Sequence, residues 1–128
     1  MKTRTFLATL AGISLLLTQP ALATAPFVNL EEARAALEKS SMMVIDIREP
    51  TEHASGVAKG AVLMPMGQIS QRIAELPQKT QPFLVICNTQ NRSSRIVEQL
   101  QAMGYSNASY VKGGMSQWAQ RGWPLVKP

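Results

Sequence analysis

The single cysteine of this chain, Cys87, is the residue best suited to covalent chemistry. It ends an apolar run that starts at Phe83, and a polar stretch then leads into a helical pattern near Ser93. A thiol between the end of a buried strand and a helix N-terminus, with the cation of Arg92 nearby, ionises readily and is a good nucleophile. The alternatives are an inert buried thiol and a thiol that links two molecules.

The loop after the cysteine has the features of an anion-binding turn. Its backbone N–H groups can turn towards one point, and the following helix adds the positive end of its dipole. Arg92 adds a full positive charge, which would attract an anionic substrate. We therefore predict that substrate contacts the five residues that follow the thiol: Asn88, Thr89, Gln90, Asn91 and Arg92.

Short apolar runs alternate with amphipathic segments along the rest of the chain. Strands are predicted in MMVIDI, GAVLMP, QPFLVIC and ASYV, because these runs are short and mostly apolar. Helices are predicted in NLEEARAALEKS, GQISQRIAELP, SSRIVEQLQAMG and GGMSQWAQRG, with a turn and a short helix in REPTEHASG. Candidate N-caps are Asn29 and Thr51, and the helix in GQISQRIAELP would place Ile69, Ile73 and Leu76 on one face. The alternation indicates an α/β fold with a mostly parallel central sheet and helices on both faces.

The N-terminal segment, residues 1–23, has the layout of a cleavable signal peptide. Two basic residues precede an apolar run from Phe6 to Leu17, and the segment ends in Ala-Leu-Ala, a pattern typical of a cleavage site. A membrane anchor is the alternative, but the run is shorter than the about 20 apolar residues that a spanning helix needs. We predict removal of this segment, export to the periplasm without membrane attachment, and one domain over residues 24–128.

The charge balance argues against several classes of partner. The chain carries 13 basic and 8 acidic residues, and its net charge of +5 would lose the contributions of Lys2 and Arg4 on cleavage. The basic residues are scattered, so no nucleic-acid partner is expected. The mild positive charge suits small anionic substrates and ordinary solubility equally well. With one cysteine and one histidine, a metal site built from several of either is excluded, and no metal is expected.

Three motifs resemble those of the rhodanese-like domain family. The stretch VIDIREPTEHASGVAKGA resembles the family's first signature, in which a strand ending in Asp-x-Arg is followed by a helix that carries Glu. CNTQNR resembles the active loop, which opens with the catalytic cysteine, and VKGGMSQW resembles the closing Lys-Gly-Gly and tryptophan stretch. The motifs occur in the family's order between Phe27 and Leu125. In layout the chain is most similar to exported single-domain members such as the phage-shock type.

The resemblance implies a sulfurtransferase in which Cys87 takes a sulfane sulfur from thiosulfate or a similar small anionic donor. The resulting persulfide passes that sulfur to a thiophilic acceptor such as cyanide or a thiol, by covalent ping-pong catalysis without a cofactor. Asp46, Arg48 and Ser93 are expected to support the site without contacting substrate. No general base is required, and His53 is expected on the surface of the short helix.

Two alternatives stay open beside this reading. Related cell-cycle phosphatases have a longer Cys-x5-Arg loop, whereas Cys87 to Arg92 is Cys-x4-Arg, so sulfur is favoured over phosphate or arsenate. The other alternative is a sulfur-carrier or interaction module with little turnover. Gln90 favours this module, because many family members have glycine at the fourth loop position. If the backbone there had a positive φ, glutamine would be strained by about 1 kcal/mol or more.

Overall fold

A computed structural model describes residues 11–12 and 24–128, so the predicted signal segment lies almost wholly outside the described residues. Within the described part, the strands are β1 Phe27–Val28, β2 Met43–Asp46, β3 Val62–Leu63, β4 Phe83–Ile86 and β5 Ala108–Val111. The α-helices are α1 Leu30–Lys39, α2 Pro50–His53, α3 Asn91–Ala102 and α4 Gly114–Gln120. No helix in this part of the chain is long and apolar enough to cross a membrane.

The five strands form one parallel sheet in the order β1-β5-β4-β2-β3. Every residue of the central strand β4 is buried, because β4 pairs with both β2 and β5. The predicted α/β fold with a parallel central sheet is thus confirmed. Asp46, the last residue of β2, pairs in register with Ile86. Cys87 therefore leaves the sheet beside Asp46, at the edge where open parallel sheets bind ligands.

Successive residues of the strands enter two separate cores, one on each face of the sheet. Ile45 and Val85 share one core with apolar residues of α3 and with Cys87. Val44 and Ile86 share the other core with residues of α1 and α4. This arrangement explains why the central strands are apolar at every position. It also confirms the predicted placement of helices on both faces.

The helix starts follow local capping chemistry, with one difference from the prediction. Asn29 caps α1 as predicted, since its side-chain oxygen accepts a hydrogen bond from the Glu32 N–H at 2.8 Å. Thr51, by contrast, is not the cap of α2. Glu49 holds the N-cap position and Pro50 follows it. Proline suits the first helical position because an N–H there would have no acceptor within the helix.

The third helix begins earlier than predicted. The sequence places its start near Ser93, but α3 starts at Asn91. The Ser94 N–H already bonds to the carbonyl oxygen of Gln90 at 2.9 Å, which closes the first turn. The last two residues of the loop therefore belong to the helix and move with it.

The predicted α-helix in GQISQRIAELP is wrong. Two 3-10 turns, Met66–Gln68 and Ile73–Glu75, occupy this segment. Between them Arg72 leaves helical geometry, with φ −108° and ψ 18°, and its guanidinium donates to the carbonyl oxygen of Leu63 at 3.0 Å. Ile69 is buried, and the other two apolar residues of the pattern pack on the same core. The apolar spacing therefore identified the inward-facing side chains but not the hydrogen-bond pattern.

Candidate active site

The Cys87 side chain is almost completely buried, with 1% of the residue exposed. Its Sγ accepts a hydrogen bond from the Ser93 N–H at 3.4 Å and lies 3.3 Å from the Ser93 Oγ. The Ser93 hydroxyl in turn donates to the carbonyl oxygen of Gln90 at 3.3 Å. Ser93 is itself fully buried on the first turn of α3. These contacts hold the sulfur in one orientation at the start of the helix.

The loop after the thiol offers several backbone N–H groups to a ligand. Asn91 and Arg92 lie in the first turn of α3, where N–H groups have no acceptor within the helix. The Asn91 N–H reaches the hydroxyl of Thr89 at 3.4 Å. Four other N–H groups of the loop find no acceptor among the residues that the structure describes: Asn88, Thr89, Gln90 and Arg92. Unpaired donors grouped in this way around a helix start suit a bound anion.

The N-terminal end of α4 packs directly against the backbone of the loop. The Met115 N–H donates to the carbonyl oxygen of the cysteine at 2.8 Å, and the Ser116 N–H donates to that of Asn88 at 2.9 Å. Gly114 has a φ of +60°, and a Cβ atom there would lie 2.3 Å from the carbonyl oxygen of Thr89. Only glycine permits this conformation at this distance. We call these contacts of residues 113–116 with the loop the α4 anchor.

Gln90 takes part in the same anchor. Its φ is −153°, so the condition for strain at this position, a positive φ, is not met. Instead, the Gln90 Oε1 accepts a hydrogen bond from the Gly113 N–H at 3.1 Å. A glycine at this loop position could not make that contact. The glutamine therefore adds a side-chain contact between the loop and the turn before α4.

A second contact holds the loop from the side of α2. Arg92 and Glu52 form a two-pronged ion pair, with distances of 2.7 Å and 2.8 Å between guanidinium nitrogens and carboxylate oxygens. Both side chains are 31% exposed. The hydrogen bonds from the guanidinium lower the pKa of Glu52 to about 2, and the same pairing raises the pKa of Arg92. We call this pair the α2 anchor.

The α2 anchor gives Arg92 a protein partner in addition to the anion-binding role predicted from the sequence. The sequence assigns its charge to an incoming anion, but both terminal nitrogens of the guanidinium already contact a carboxylate. Sequence reasoning recognised a glutamate on the short helix of the first motif without linking it to the loop. Glu52 and Arg92 are 40 positions apart, so no local pattern joins them.

The buried pair of Asp46 and Arg48 fastens α2 to the end of β2. The Arg48 Nη2 lies 2.7 Å from the Asp46 Oδ2, and the side chains of the two residues are 5% and 0% exposed. Arg48 also donates to the carbonyl oxygens of Gly56 at 2.9 Å and Glu52 at 3.4 Å. A buried guanidinium satisfied in this way ties the strand end to the last turn of α2 and to the backbone that follows it. The pair lies beside the cysteine without contacting its sulfur through any hydrogen bond among the described residues.

His53 is not on the surface, which corrects the sequence expectation. Only 5% of the residue is exposed, because α2 turns this side chain inward over the end of β2. Its Nε2 lies 3.3 Å from the Asp46 Oδ1. That separation is a contact and not a hydrogen bond, since the Nε2 has no hydrogen-bond partner among the described residues. Within those residues, no group of three or more His, Cys, Asp or Glu side chains is arranged to hold a metal ion.

Known proteins share both this sequence pattern and this fold. The profile of the rhodanese-like domain family matches residues 29–121. A protein of Allochromatium vinosum named sulfurtransferase is 32% identical over 91 residues, covering 71% of this chain and 84% of that protein. The thiosulfate sulfurtransferase PspE of Escherichia coli is 32% identical over 84 residues, covering 65% of this chain and 77% of that protein.

A solved structure gives the same result in three dimensions. The crystal structure of a rhodanese-like domain protein from Staphylococcus aureus superposes with a TM-score of 0.70 at 29% sequence identity. The match covers 80% of this chain and 98% of that one. Sequence and structure therefore point to the same single domain.

Proposed function

The chain belongs to the rhodanese-like domain family, and from that membership we propose that it is a sulfurtransferase with Cys87 as nucleophile and sulfur carrier. The donor is a small anion with a sulfane sulfur, such as thiosulfate. The acceptor is thiophilic, such as cyanide or a thiol. Relatives named as sulfurtransferases support this general activity.

The reaction has two balanced steps. The Cys87 thiolate attacks the terminal sulfur of thiosulfate, a new S–S bond forms, and sulfite leaves with the electron pair of the broken S–S bond. Cyanide then attacks the outer sulfur of the persulfide, and thiocyanate leaves as the thiolate is restored. Each step transfers one sulfur atom and needs no external oxidant, which is the pattern of covalent ping-pong catalysis.

One observation carries the proposal: the only cysteine lies among backbone donors that nothing else in the described chain uses. The Ser93 N–H contacts the Cys87 sulfur, and four further loop N–H groups have no acceptor among the described residues. A persulfide adds one sulfur atom beyond Sγ. In our proposal, this outer sulfur lies next to the loop N–H groups. Hydrogen bonds to a charged group contribute about 1.5–3 kcal/mol each.

Mass spectrometry tests the proposal directly. Thiosulfate should add one sulfur atom to the protein, and subsequent cyanide should remove it and yield thiocyanate. Cys87→Ser should fold normally and show neither the adduct nor the transfer. Adduct formation by Cys87→Ser, or turnover of an aryl phosphate that depends on Cys87 without any sulfur transfer, would refute a Cys87 sulfurtransferase.

A sulfur-carrier module with little turnover is the second candidate. The 1% exposure of Cys87 favours it, because an acceptor must reach a sulfur that lies inside the protein. The same experiment separates the two candidates. A carrier would load one sulfur and release it to small acceptors only slowly, whereas an enzyme would turn over many times.

We also propose that the protein is exported. The support is the charged start, the apolar run and the Ala-Leu-Ala pattern in residues 1–23. The intact mass of protein recovered from the cell envelope should correspond to a chain that begins at Thr24. A mass that still includes the first 23 residues would exclude cleavage at this site.

A further inference from the structure

The charged side chains beside the active loop carry more negative than positive charge. Arg48 and Arg92 contribute two guanidinium groups, and the carboxylates of Asp46, Glu49 and Glu52 lie among them. Each arginine is paired with one carboxylate. The Glu49 side chain accepts a hydrogen bond from the backbone N–H of Glu52, and the Glu49 N–H donates to the Glu52 carboxylate at 3.2 Å, which places this third carboxylate in the same cluster.

The other side chains of the loop do not alter this balance. Asn88, Thr89, Gln90 and Asn91 are neutral, and the thiolate form of the cysteine adds a further negative charge. Among nearby cations, Lys112 at the end of β5 holds its Nζ 5.1 Å from the centre of the Phe27 ring. Arg95 lies one turn further along α3, about 5 Å along the helix axis.

The excess of negative charge beside the loop affects which sulfur donor the site accepts. Thiosulfate carries two negative charges, so it is repelled twice as strongly by an excess carboxylate as a donor with one charge. The guanidinium of Arg92 cannot offset this repulsion fully, because both its terminal nitrogens are bonded to Glu52. A donor with a single negative charge is repelled less when it approaches the same loop N–H groups.

We infer that Glu52 is a specificity-determining residue that biases this site towards sulfane donors with a single negative charge, such as organic thiosulfonates and organic persulfides, over dianionic thiosulfate. The inference rests on the proposed sulfur transfer and refines its donor class. Glu52 acts through the charge of Arg92 and does not touch the reacting sulfur.

Methanethiosulfonate is the matched probe, because a methyl group replaces one oxyanion of thiosulfate. The chemistry is otherwise the same: the Cys87 thiolate takes the sulfane sulfur, the donor's S–S bond breaks, and methanesulfinate leaves with the electron pair in place of sulfite. Both donors are assayed with cyanide at one fixed pH. The quantity compared is the ratio of kcat/KM for methanethiosulfonate to that for thiosulfate, which cancels any general loss of activity.

Glu52→Gln removes one negative charge but keeps an oxygen that can accept from Arg92. We expect the ratio to fall about fivefold, the factor for one additional donor charge at roughly 8 Å in a partly screened site. Most of the change should be a lower KM for thiosulfate. Glu75→Gln is the control, because it breaks the pair with Arg72 on the surface, away from the loop, and should leave the ratio unchanged.

The outcomes separate the inference from the proposed function. If neither donor loads Cys87 in the unsubstituted protein, the proposed function fails and the inference fails with it. If both donors load and the ratio stays constant or rises in Glu52→Gln, the inference alone is overturned. If Glu52→Gln does not fold, the same ratio is measured in Glu49→Gln. We expect the ratio to fall about twofold there, because Glu49 is more exposed and its charge is more strongly screened.

Discussion

The active loop is held from two sides by contacts of different kinds. On the α4 side, N–H groups of the helix start bond to loop carbonyl oxygens at 2.8 Å and 2.9 Å, and Gly114 lies directly against the loop backbone. On the α2 side, a single ion pair between partly exposed side chains joins Glu52 to Arg92. The first contact depends on backbone shape and the second on charge.

The two sides therefore control different properties of the loop. Backbone contacts do not titrate, so the α4 anchor should hold the cysteine in place at any pH at which the protein is folded. The α2 anchor can be tuned by a change of one charge without moving the backbone. Because the backbone contacts of the α4 anchor hold the loop in place, the charge of the α2 anchor can change while the position of the sulfur stays constant.

The largest effect should come from adding one carbon to the α4 anchor. In Gly114→Ala, the new Cβ would meet the carbonyl oxygens of Thr89 at 2.3 Å and Cys87 at 2.5 Å, with the backbone at φ +60°. Overpacking and the left-handed conformation together should lower the free energy of unfolding by about 2–4 kcal/mol. Urea denaturation measures this loss, and sulfur loading should fall with it because the loop must move.

Gly122→Ala is the matched control for that experiment. Gly122 has a similar φ of +69°, but a Cβ there meets nothing within 4 Å. It should therefore cost only the backbone strain, about 1 kcal/mol. Equal losses in the two variants would mean that the contact with the loop contributes nothing.

An intermediate effect is expected from the α2 anchor, and it should depend on pH. The pKa of Glu52 is lowered from 4.5 to about 2. A carboxyl whose pKa is lower in the folded state stabilises the protein above its unfolded value, and this contribution is lost as the pH falls through the folded value. The side chain is 31% exposed, so solvent screening limits the contribution to about 1–2 kcal/mol.

The test compares the unfolding free energies of the unsubstituted protein and Glu52→Gln between about pH 7 and pH 2. The gap should be constant down to about pH 4.5 and should shrink towards zero near pH 2. Glu75→Gln removes a carboxylate that is 51% exposed, and it should show a smaller gap. A gap for Glu52→Gln that does not change over this range would contradict the assignment of the low pKa to this pair.

The smallest effect should come from Gln90, the side-chain part of the α4 anchor. Gln90→Ala removes the hydrogen bond to the Gly113 N–H and should cost about 1 kcal/mol. Gln90→Gly should cost slightly more, because the φ of −153° gives glycine no advantage and its unfolded chain is more flexible. Guanidinium denaturation of both variants measures this order. Gln99→Ala, on the exposed side of α3, serves as the control and should leave the free energy of unfolding nearly unchanged. A gain in stability for Gln90→Gly would contradict a stabilising role of the Gln90 side chain.

Features that depend on neighbouring residues were predictable from the sequence. The apolar run of β4 indicated a strand buried on both faces, and its end placed Cys87 at the ligand-binding edge of the sheet. The Asn29 cap followed from a side chain that reaches an N–H three residues later. In the segment after β3, the same kind of pattern identified buried side chains but not the 3-10 turns, because apolar spacing does not specify which hydrogen bonds close each turn.

Local periodicity and motifs within single segments were sufficient to predict the α/β sheet, the position of the thiol and the family to which the loop belongs. The partners of those residues, by contrast, became known only from the way the segments pack together. Arg92 pairs with Glu52 across 40 positions, and Gln90 meets Gly113 across 23. His53 is buried because α2 packs back over the end of β2. Such pairings depend on how the crossovers bring separate segments together at one edge of the sheet. No local pattern in the sequence predicts which of these distant segments will be neighbours in space.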